Sequence, residues 1–288
     1  MLKHLDISFV GSGQMAEAMI KGLLDRDMVS ATRVRASGPR AERATYLGER
    51  YGIQTTTDNL AVVAGASIVV LSVKPQVLTH VEPELRGVIR SDALVLSIIA
   101  GARLRSLGHG LGHEALVRAM PNTPARIGEG MTVWTATREV APPQRAEARA
   151  ILGALGEELF VEDEGYLDMA TALSGTGPAY IFLVMEALID AGVHMGFSRH
   201  VAQKLVLQTM RGSVDFARAS GQHPAELRNQ VTSPGGTSAE AIYHLEKGGL
   251  RTVLSRAVWA AYQKSKYLGD LSEERVNNHA EFDREGED

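Results

Sequence analysis

Apolar residues in the first half of the chain come in short unbroken runs rather than in alternation. I-S-F-V (Ile7 to Val10), V-R-A-S (Val34 to Ser37), S-I-V-V-L-S (Ser67 to Ser72), A-L-V-L-S-I-I (Ala93 to Ile99), A-L-V-R-A-M (Ala115 to Met120) and M-T-V-W-T (Met131 to Thr135) are separated by stretches of helical periodicity. Continuous apolar strands between helices predict a parallel sheet covered on both faces, an α/β doubly wound domain. Pro142-Pro143 breaks the chain before an Ala-, Glu- and Arg-rich helix, and L-F-V around Phe160 reads as one more strand. From Tyr166 onward strand signals stop. Apolar residues recur at helical spacing over Pro178 to Met195, ending at Gly196, and over Arg199 to Ala219, ending at Gly221; Thr237 to Glu246 and Leu250 to Leu268 follow. The pattern divides the chain into a dinucleotide-binding domain over 1–164, an all-helical domain over 165–269 and an acidic, frayed tail over 270–288. Helices this apolar in so short a domain leave surface to be covered, which predicts a dimer interlocked through them.

Composition removes several alternatives. At 44% hydrophobic and 22% charged residues, disordered and fibrous classes are excluded. No cysteine is present, so a disulfide framework, a Cys-ligated zinc or iron-sulfur site and a Cys nucleophile are excluded, and a cytoplasmic location fits. The opening residues leave no room for a signal peptide, and no apolar run is expected to reach bilayer length, because Glu186, Asp190 and His194 interrupt the longest helix. The tail holds eight acids against Arg275 and Arg284, so the net charge of −4 hides a slightly basic body without the one-sided basic face that a nucleic-acid partner needs.

The first strand runs straight into G-S-G-Q-M-A. Gly11 allows the tight turn, Gly13 lets backbone approach a pyrophosphate, Ala16 permits close packing of helix on strand, and free N–H groups at the helix start face the anion. A lone fingerprint is weak, but strand before and helix after agree with it. The second strand ends on Ser37-Gly38-Pro39-Arg40, with Arg43 one turn on, where an NAD enzyme would place Asp or Glu. A carboxylate would repel a 2′-phosphate, whereas Ser37 and Arg40 would bind it, so NADPH is favoured and NADH remains open. The plain alternative makes Arg40 and Arg43 the solvated face of the next helix. Ser72-Val73-Lys74-Pro75, Ile99-Ala100-Gly101 and Met120-Pro121-Asn122-Thr123-Pro124 follow later strands and belong at the same carboxyl edge, outlining a crevice. Lys74 is either a phosphate contact or general acid, or a solvated edge lysine.

The set V-G-S-G-Q-M-A-E-A, S-V-K-P-Q, R-A-M-P-N-T-P-A, A-L-S-G-T-G-P-A-Y-I-F and T-S-P-G-G-T-S-A-E-A-I, in this order, resembles pyrroline-5-carboxylate reductase over the chain up to about Leu268. The resemblance implies reduction of 1-pyrroline-5-carboxylate to L-proline with NAD(P)H, the final step of proline biosynthesis, by a Rossmann domain joined to a helical dimerisation domain. It further implies a homodimer and, in many members, a decamer of dimers. It puts cofactor contacts on Val10, Gly11, Ser12, Gly13, Gln14, Met15, Ser37, Asn59, Ser72, Val73, Lys74, Pro75, Ile99, Ala100 and Gly101. Asn59 follows Asp58, which by itself reads as a helix cap. The substrate pocket falls on Val231, Ser233, Gly235, Gly236, Thr237 and Ser238. Members of the family generally carry a threonine pair after Pro-Gly-Gly; Ser238 stands in second place here and keeps the hydroxyl without the methyl.

Thr237 and Glu240 have capping-box spacing, which places the Ser233-Pro234-Gly235-Gly236 turn just outside a helix N-terminus. Outward N–H groups and side-chain-free glycines there suit a small carboxylate. The hydride comes from the cofactor, so the loop needs no strong acid; Ser238 is the candidate catalytic residue, a donor to the imine nitrogen, with the substrate bound already protonated or a water relaying the proton. Ala172 to Tyr180 starts the long helix, its glycines allowing close backbone approach to nicotinamide or partner, or only a tight interdomain corner. Glu186, Asp190 and His194 share a helix face but lack a matching pair elsewhere, so no metal is implied. His223 reads as a helix cap, and Arg118 as either the partner of a buried carboxylate or a pocket residue. Another imine or hydroxyacid reductase of similar architecture is the competing enzyme, although the hydroxyacid class would carry a lysine within Pro178 to Met195 and this chain has none. A non-catalytic dinucleotide-binding regulator would have no use for the hydroxyl-bearing loop.

Overall fold

The computed structural model describes residues 2–285, with side chains described through Glu274. Eight strands form one sheet. In chain order the first segment supplies β1 (Ile7–Val10), α1 (Gln14–Asp25), β2 (Val34–Ser37), α2 (Ala41–Tyr51), β3 (Gln54–Thr56), α3 (Asn59–Val63), β4 (Ile68–Leu71), α4 (Pro75–Leu85), β5 (Leu94–Ser97) and α5 (Leu104–Leu111). Then come β6 (Leu116–Met120), β7 (Gly130–Ala136), α6 (Pro142–Gly153), β8 (Gly156–Phe160) and α7 (Gly165–Ala170). The strand order is β3-β2-β1-β4-β5-β6-β7-β8, and all pairs are parallel except β6 with β7. The doubly wound α/β expectation holds, with two differences. Gln54–Thr56 joins the sheet at its edge, where polar residues suffice because one side stays open. The link from β6 to β7 holds only a short 3₁₀ turn, Thr123–Ile127, and without a crossover helix the chain returns antiparallel.

Both faces of the sheet are buried, as the unbroken apolar runs require. In β4, Ile68 and Val70 pack into one core with α1 and α6, while Val69 and Leu71 pack into the other with α3, α4 and α5. Pro75 and Pro142 occupy first-turn positions of α4 and α6, where the missing N–H costs nothing. Gly22 of α1 has no room for a side chain, since a Cβ would lie 2.7 Å from the Ala154 carbonyl oxygen.

After α7 a π turn spans Thr171–Gly175, and α8 (Gly177–His194), α9 (Arg199–Ser220), α10 (Pro224–Gln230), α11 (Thr237–Lys247) and α12 (Leu250–Glu285) complete the chain. Two compact units result, Gly177–Ala260 and the remainder, which takes in α7 and the second half of α12. The reason is a set of buried charges. Arg118 of β6, 3% exposed, donates to Glu164 at 2.7 Å and lies 3.6 Å from Asp168 of α7, 4% exposed. Ser265 of α12 donates to the same Asp168 carboxylate at 2.8 Å, and Arg103 approaches it at 3.7 Å. α7 and the second half of α12 thus belong to the sheet unit. The segment from Asp270, expected to fray, continues α12 through Glu285, and the last three residues of that expected tail lie outside the described ones.

The helical unit has little interior of its own. Gly192 and Ala202 meet where α8 crosses α9, a Cβ on Gly192 falling 2.9 Å from the Ala202 Cβ. Around them Phe182, Leu183, Met195, Phe216 and Trp259 are each more than half exposed. The stretch Gly165–His194 is long and apolar enough to cross a membrane, against the expectation that no such run exists.

Arg118→Met should leave Asp168 buried with a weakened set of partners and lower the stability of the sheet unit by about 3–5 kcal/mol. Urea unfolding measures it; an unchanged midpoint would show the pairing to be dispensable.

Candidate functional site

The carboxyl ends of β1, β2, β4 and β5 carry the predicted nucleotide residues. Gly11 has φ +107° and its N–H donates to the Ser37 carbonyl at 3.0 Å. A Cβ on it would stand 2.7 Å from the Ser72 carbonyl, so only glycine lets the turn after β1 nest on the Ser72–Pro75 loop, where the Ser72 hydroxyl donates to the Gly11 carbonyl at 2.8 Å. Gly13 is the opposite case. It is the N-cap of α1, makes no side-chain cap, and has nothing within 4 Å of where a Cβ would point. Free first-turn N–H groups beside open space form a cradle that a side chain would fill and an anion fits. Val10 and Ser12 are buried, Met15 half-buried and Gln14 exposed around it.

The adenosine side departs from the simplest expectation. Ser37 is fully buried, and its hydroxyl donates to Asn59 Oδ1 at 2.7 Å, while the Asn59 amide donates to Glu84 at 2.8 Å. Ser37 and Asn59 are therefore partners of each other, and the side chain that faces solvent at the end of β2 is Arg40. It lines a cavity of about 370 Å³ with Gly13, Gln14, Glu42, Arg43 and Tyr46. Asp58 caps α3, accepting from the Leu60 and Ala61 amides. Lys74 is the exposed N-cap residue of α4 and Val73 is half-buried. In the loop after β5, Ile99 is buried, Ala100 half-buried, and Gly101 takes φ +76°.

In the helical unit the Val231–Ser238 loop leads into α11. Val231, Ser233, Gly235 and Thr237 are exposed, and Gly236 and Ser238 half-buried. Gly235 has φ +70°, with open space where a Cβ would be, and the Gly236 N–H donates back to the Ser233 carbonyl at 3.0 Å. The predicted capping box does not form. Gly236 is the N-cap, Thr237 is already helical, and the Glu240 carboxylate turns down the helix to His244 at 3.3 Å. The first-turn amides of α11 consequently have no side-chain cap.

The remaining predictions resolve simply. His223 caps α10 through Nδ1, which accepts from the Ala225 amide. Asp190 pairs with Arg199 at 2.9 Å, and no group of three metal-ligating side chains occurs among the described residues. Arg118 pairs with the buried Asp168 and the half-buried Glu164. Pro178 lies in the first turn of α8, and Asn122 reaches the preceding π turn, donating to the Ser174 carbonyl at 3.0 Å.

Residues 164–268 match the family described as pyrroline-5-carboxylate reductase dimerisation, and residues 6–101 one described as NADP oxidoreductase, coenzyme F420-dependent. The pyrroline-5-carboxylate reductases of Synechocystis sp. and Pseudomonas aeruginosa are each 40% identical, over 92% of this chain and 98% and 97% of theirs. The chain belongs to the pyrroline-5-carboxylate reductase family. Among solved structures, a Plasmodium falciparum pyrroline carboxylate reductase with NADP bound superposes with a TM-score of 0.86 at 32% identity, covering 93% of this chain and 99% of the other. The Coxiella burnetii enzyme gives 0.84 at 36%, covering 92% and 98%. The dimerisation match includes all of Gly165–His194, so the long apolar stretch lies within a segment that supports an oligomer.

One group near the reductase's glycine turn escaped the sequence reading. Arg43 is not part of a solvated helix face: its Nε donates to the Ser12 carbonyl at 2.8 Å, its Nη2 reaches the Gly13 carbonyl at 3.4 Å, and it is ion-paired with Glu17. Tyr51 and Tyr46 donate to the same carboxylate at 2.9 and 3.2 Å. No local spacing marks this group, because Glu17 lies on α1 and its partners Arg43, Tyr46 and Tyr51 on α2. Partial burial pushes the Glu17 carboxyl up, but hydrogen bonds from Arg43 and Tyr51 and the charge of Arg43 outweigh it, holding it below its ordinary value of 4.5. Burial, followed by the hydrogen bond to Glu17, raises the Tyr51 phenol.

A carboxyl depressed in the folded state contributes stability above its unfolded value, and the contribution disappears as pH falls through the folded one. Glu17→Gln should therefore be less stable than wild type at pH 7, and the gap should close below about pH 4.5, the ordinary carboxyl range. Denaturant titrations at pH 7 and pH 3.5 check it; a gap independent of pH removes the charge from the account.

Proposed function

We propose that this reductase, an NADP-dependent oxidoreductase by family, converts 1-pyrroline-5-carboxylate to L-proline using the residues at the sheet's carboxyl edge for the cofactor and the Val231–Ser238 loop for the substrate. The cradle at Gly13 suits a pyrophosphate: it offers uncapped amides and space that any side chain would occupy. NADPH, when bound, supplies the hydride. Its holding falls to Val10–Met15, to the Ser72–Pro75 and Ile99–Gly101 loops, to Asn59 and to Arg40. β2 ends on Ser37 where an NAD enzyme would place Asp or Glu, and Arg40 is exposed just beyond it to pair with a 2′-phosphate, with Arg43 offsetting Glu42 on the same cavity. Ser37 acts through Asn59, whose side-chain oxygen it engages, and so contributes position rather than a direct charge.

The observation that carries the substrate assignment is the start of α11. Its amides lack a side-chain cap, and Gly235 and Gly236 leave the approach to them unobstructed. A small carboxylate placed there is bound by N–H groups and by the positive end of the helix dipole. The half-buried Ser238 hydroxyl then serves as donor to the imine nitrogen, steadying the charge that hydride arrival would otherwise leave on it. A hydroxyl cannot be the final proton source, so the imine binds protonated or a water relays the proton. Residues 165–269 form a homodimer through the apolar faces of α8, α9 and α12, with a decamer built from such dimers as the larger assembly, in the cytoplasm.

Following NADPH oxidation with 1-pyrroline-5-carboxylate tests the assignment. Ser238→Ala should lower kcat by about a hundredfold or more, the order lost with one aimed donor, with NADPH affinity unchanged. Arg40→Ala should raise the KM for NADPH by about tenfold, as loss of one charge-assisted hydrogen bond would, and leave the KM for NADH alone. Wild-type turnover in Ser238→Ala removes Ser238 from the chemistry; equal effects on both cofactors remove Arg40 from the 2′-phosphate.

A further inference from the structure

The loop Ile99–Gly101 is held from an unexpected direction. On its α4 and α5 side lies a cavity of about 490 Å³, bordered by Ile99, Ala100 and Gly101 and, across from them, by Leu268, Leu271 and Ser272 of α12. The loop is thus not backed there by filled core. What touches it is α12: a Cβ on Gly101 would lie 3.0 Å from the Leu268 Cβ and 3.3 Å from the Leu268 carbonyl carbon. Gly101 already needs its φ of +76°, so this contact and the backbone turn demand glycine together.

α12 is tied down on either side of Leu268. One turn before it, Ser265 donates to the buried Asp168. Just after it, the Arg103 guanidinium, 18% exposed, donates to Asp270 at 2.8 Å and approaches Glu273 at 3.8 Å. Gly269 lets the helix pass over that guanidinium, since a Cβ there would come within 2.5 Å of Arg103 Nε. Arg103 is the N-cap residue of α5, two positions after Gly101, so its anchor acts on the very loop that Leu268 covers. Asp270, Leu271, Ser272 and Glu273 lie beyond Leu268, where the dimerisation match ends.

We propose that residues 268–273 are a strap that holds the Ile99–Gly101 loop in its cofactor-binding conformation, with Arg103 as the positioning residue that anchors it. This rests on the reading of that loop as a cofactor contact. The strap acts by pre-organisation. A loop beside a cavity, with a glycine at its end, has alternative conformations to lose on binding, and ordering it beforehand removes that cost from the cofactor's affinity. The anchor is electrostatic and half open to water, Asp270 being 50% exposed, so salt weakens it where it would not weaken the apolar contacts.

The test uses the full-length enzyme with Asp270→Ala/Glu273→Ala, Asp270→Glu and Arg103→Lys. NADPH affinity is measured by fluorescence titration, kcat and KM by NADPH oxidation, and amide exchange of residues 99–103 in the cofactor-free protein. The double variant should bind NADPH about three- to fivefold more weakly, the range of an exposed ion pair, with kcat within about twofold of wild type. Its loop amides should exchange faster, Asp270→Glu should recover most of the affinity, Arg103→Lys only part, and high salt should bring wild type towards the double variant. Unchanged exchange overturns the strap while leaving the cofactor assignment standing. Faster exchange with unchanged NADPH affinity overturns the cofactor reading of the loop, and the strap's purpose with it. A fall in kcat at unchanged NADPH affinity overturns the positioning role of Arg103.

Discussion

The site depends on the register of the parallel strands. Val10 lies opposite both Ser37 and Leu71, and Leu71 opposite Ser97, so four strands end at one level. Pairing carries on one residue further: Gly11 donates to Ser37, Ser72 to Val10 and Ile98 to Leu71. Three loops therefore begin from hydrogen-bonded, immobile starting points along a single line. A slip of one residue in any pair would turn its apolar set to the wrong core and displace the loop it carries, so core packing and loop placement are enforced by the same bonds.

Within that frame, the side chains at the edge do more holding than reacting. Ser72 braces Gly11, Arg43 braces Ser12, and Ser37 braces Asn59, each through a hydrogen bond to a neighbour in the protein. This is the arrangement expected where the cofactor carries the hard chemistry and the protein contributes orientation. In the helical unit the start of α11 is likewise built of backbone, with Gly236 at the N-cap and no side-chain cap on its first amides.

Strand positions were legible because apolar continuity is a local signal, and so were the proline helix starts and the caps at Asp58 and His223, each set by a neighbour two or three residues away. Gln54–Thr56 was not, since an edge strand carries little apolar information. The β6–β7 reversal was not either, because direction depends on what the connection can hold. At the site, the glycines and Arg40 could be read from the fingerprint and its context. Arg43 could not, because its partners Ser12 and Glu17 lie on the other side of β2. The same holds for Asp270, which reads as one more acid in a charged tail and is placed only by an arginine 167 residues earlier. The capping-box reading of Thr237 failed for a subtler reason: the spacing was present, but Gly236 took the non-helical position and left Thr237 one step inside.

The open apolar face of Phe182, Leu183 and Trp259 also bears on how the enzyme comes into being. A protomer released alone presents these apolar residues to water, so oligomer formation adds to the stability of the helical unit and ties it to protein concentration. Dilution, co-expression with a truncated copy or slow synthesis would each act on the assembly step before they touched the chemistry.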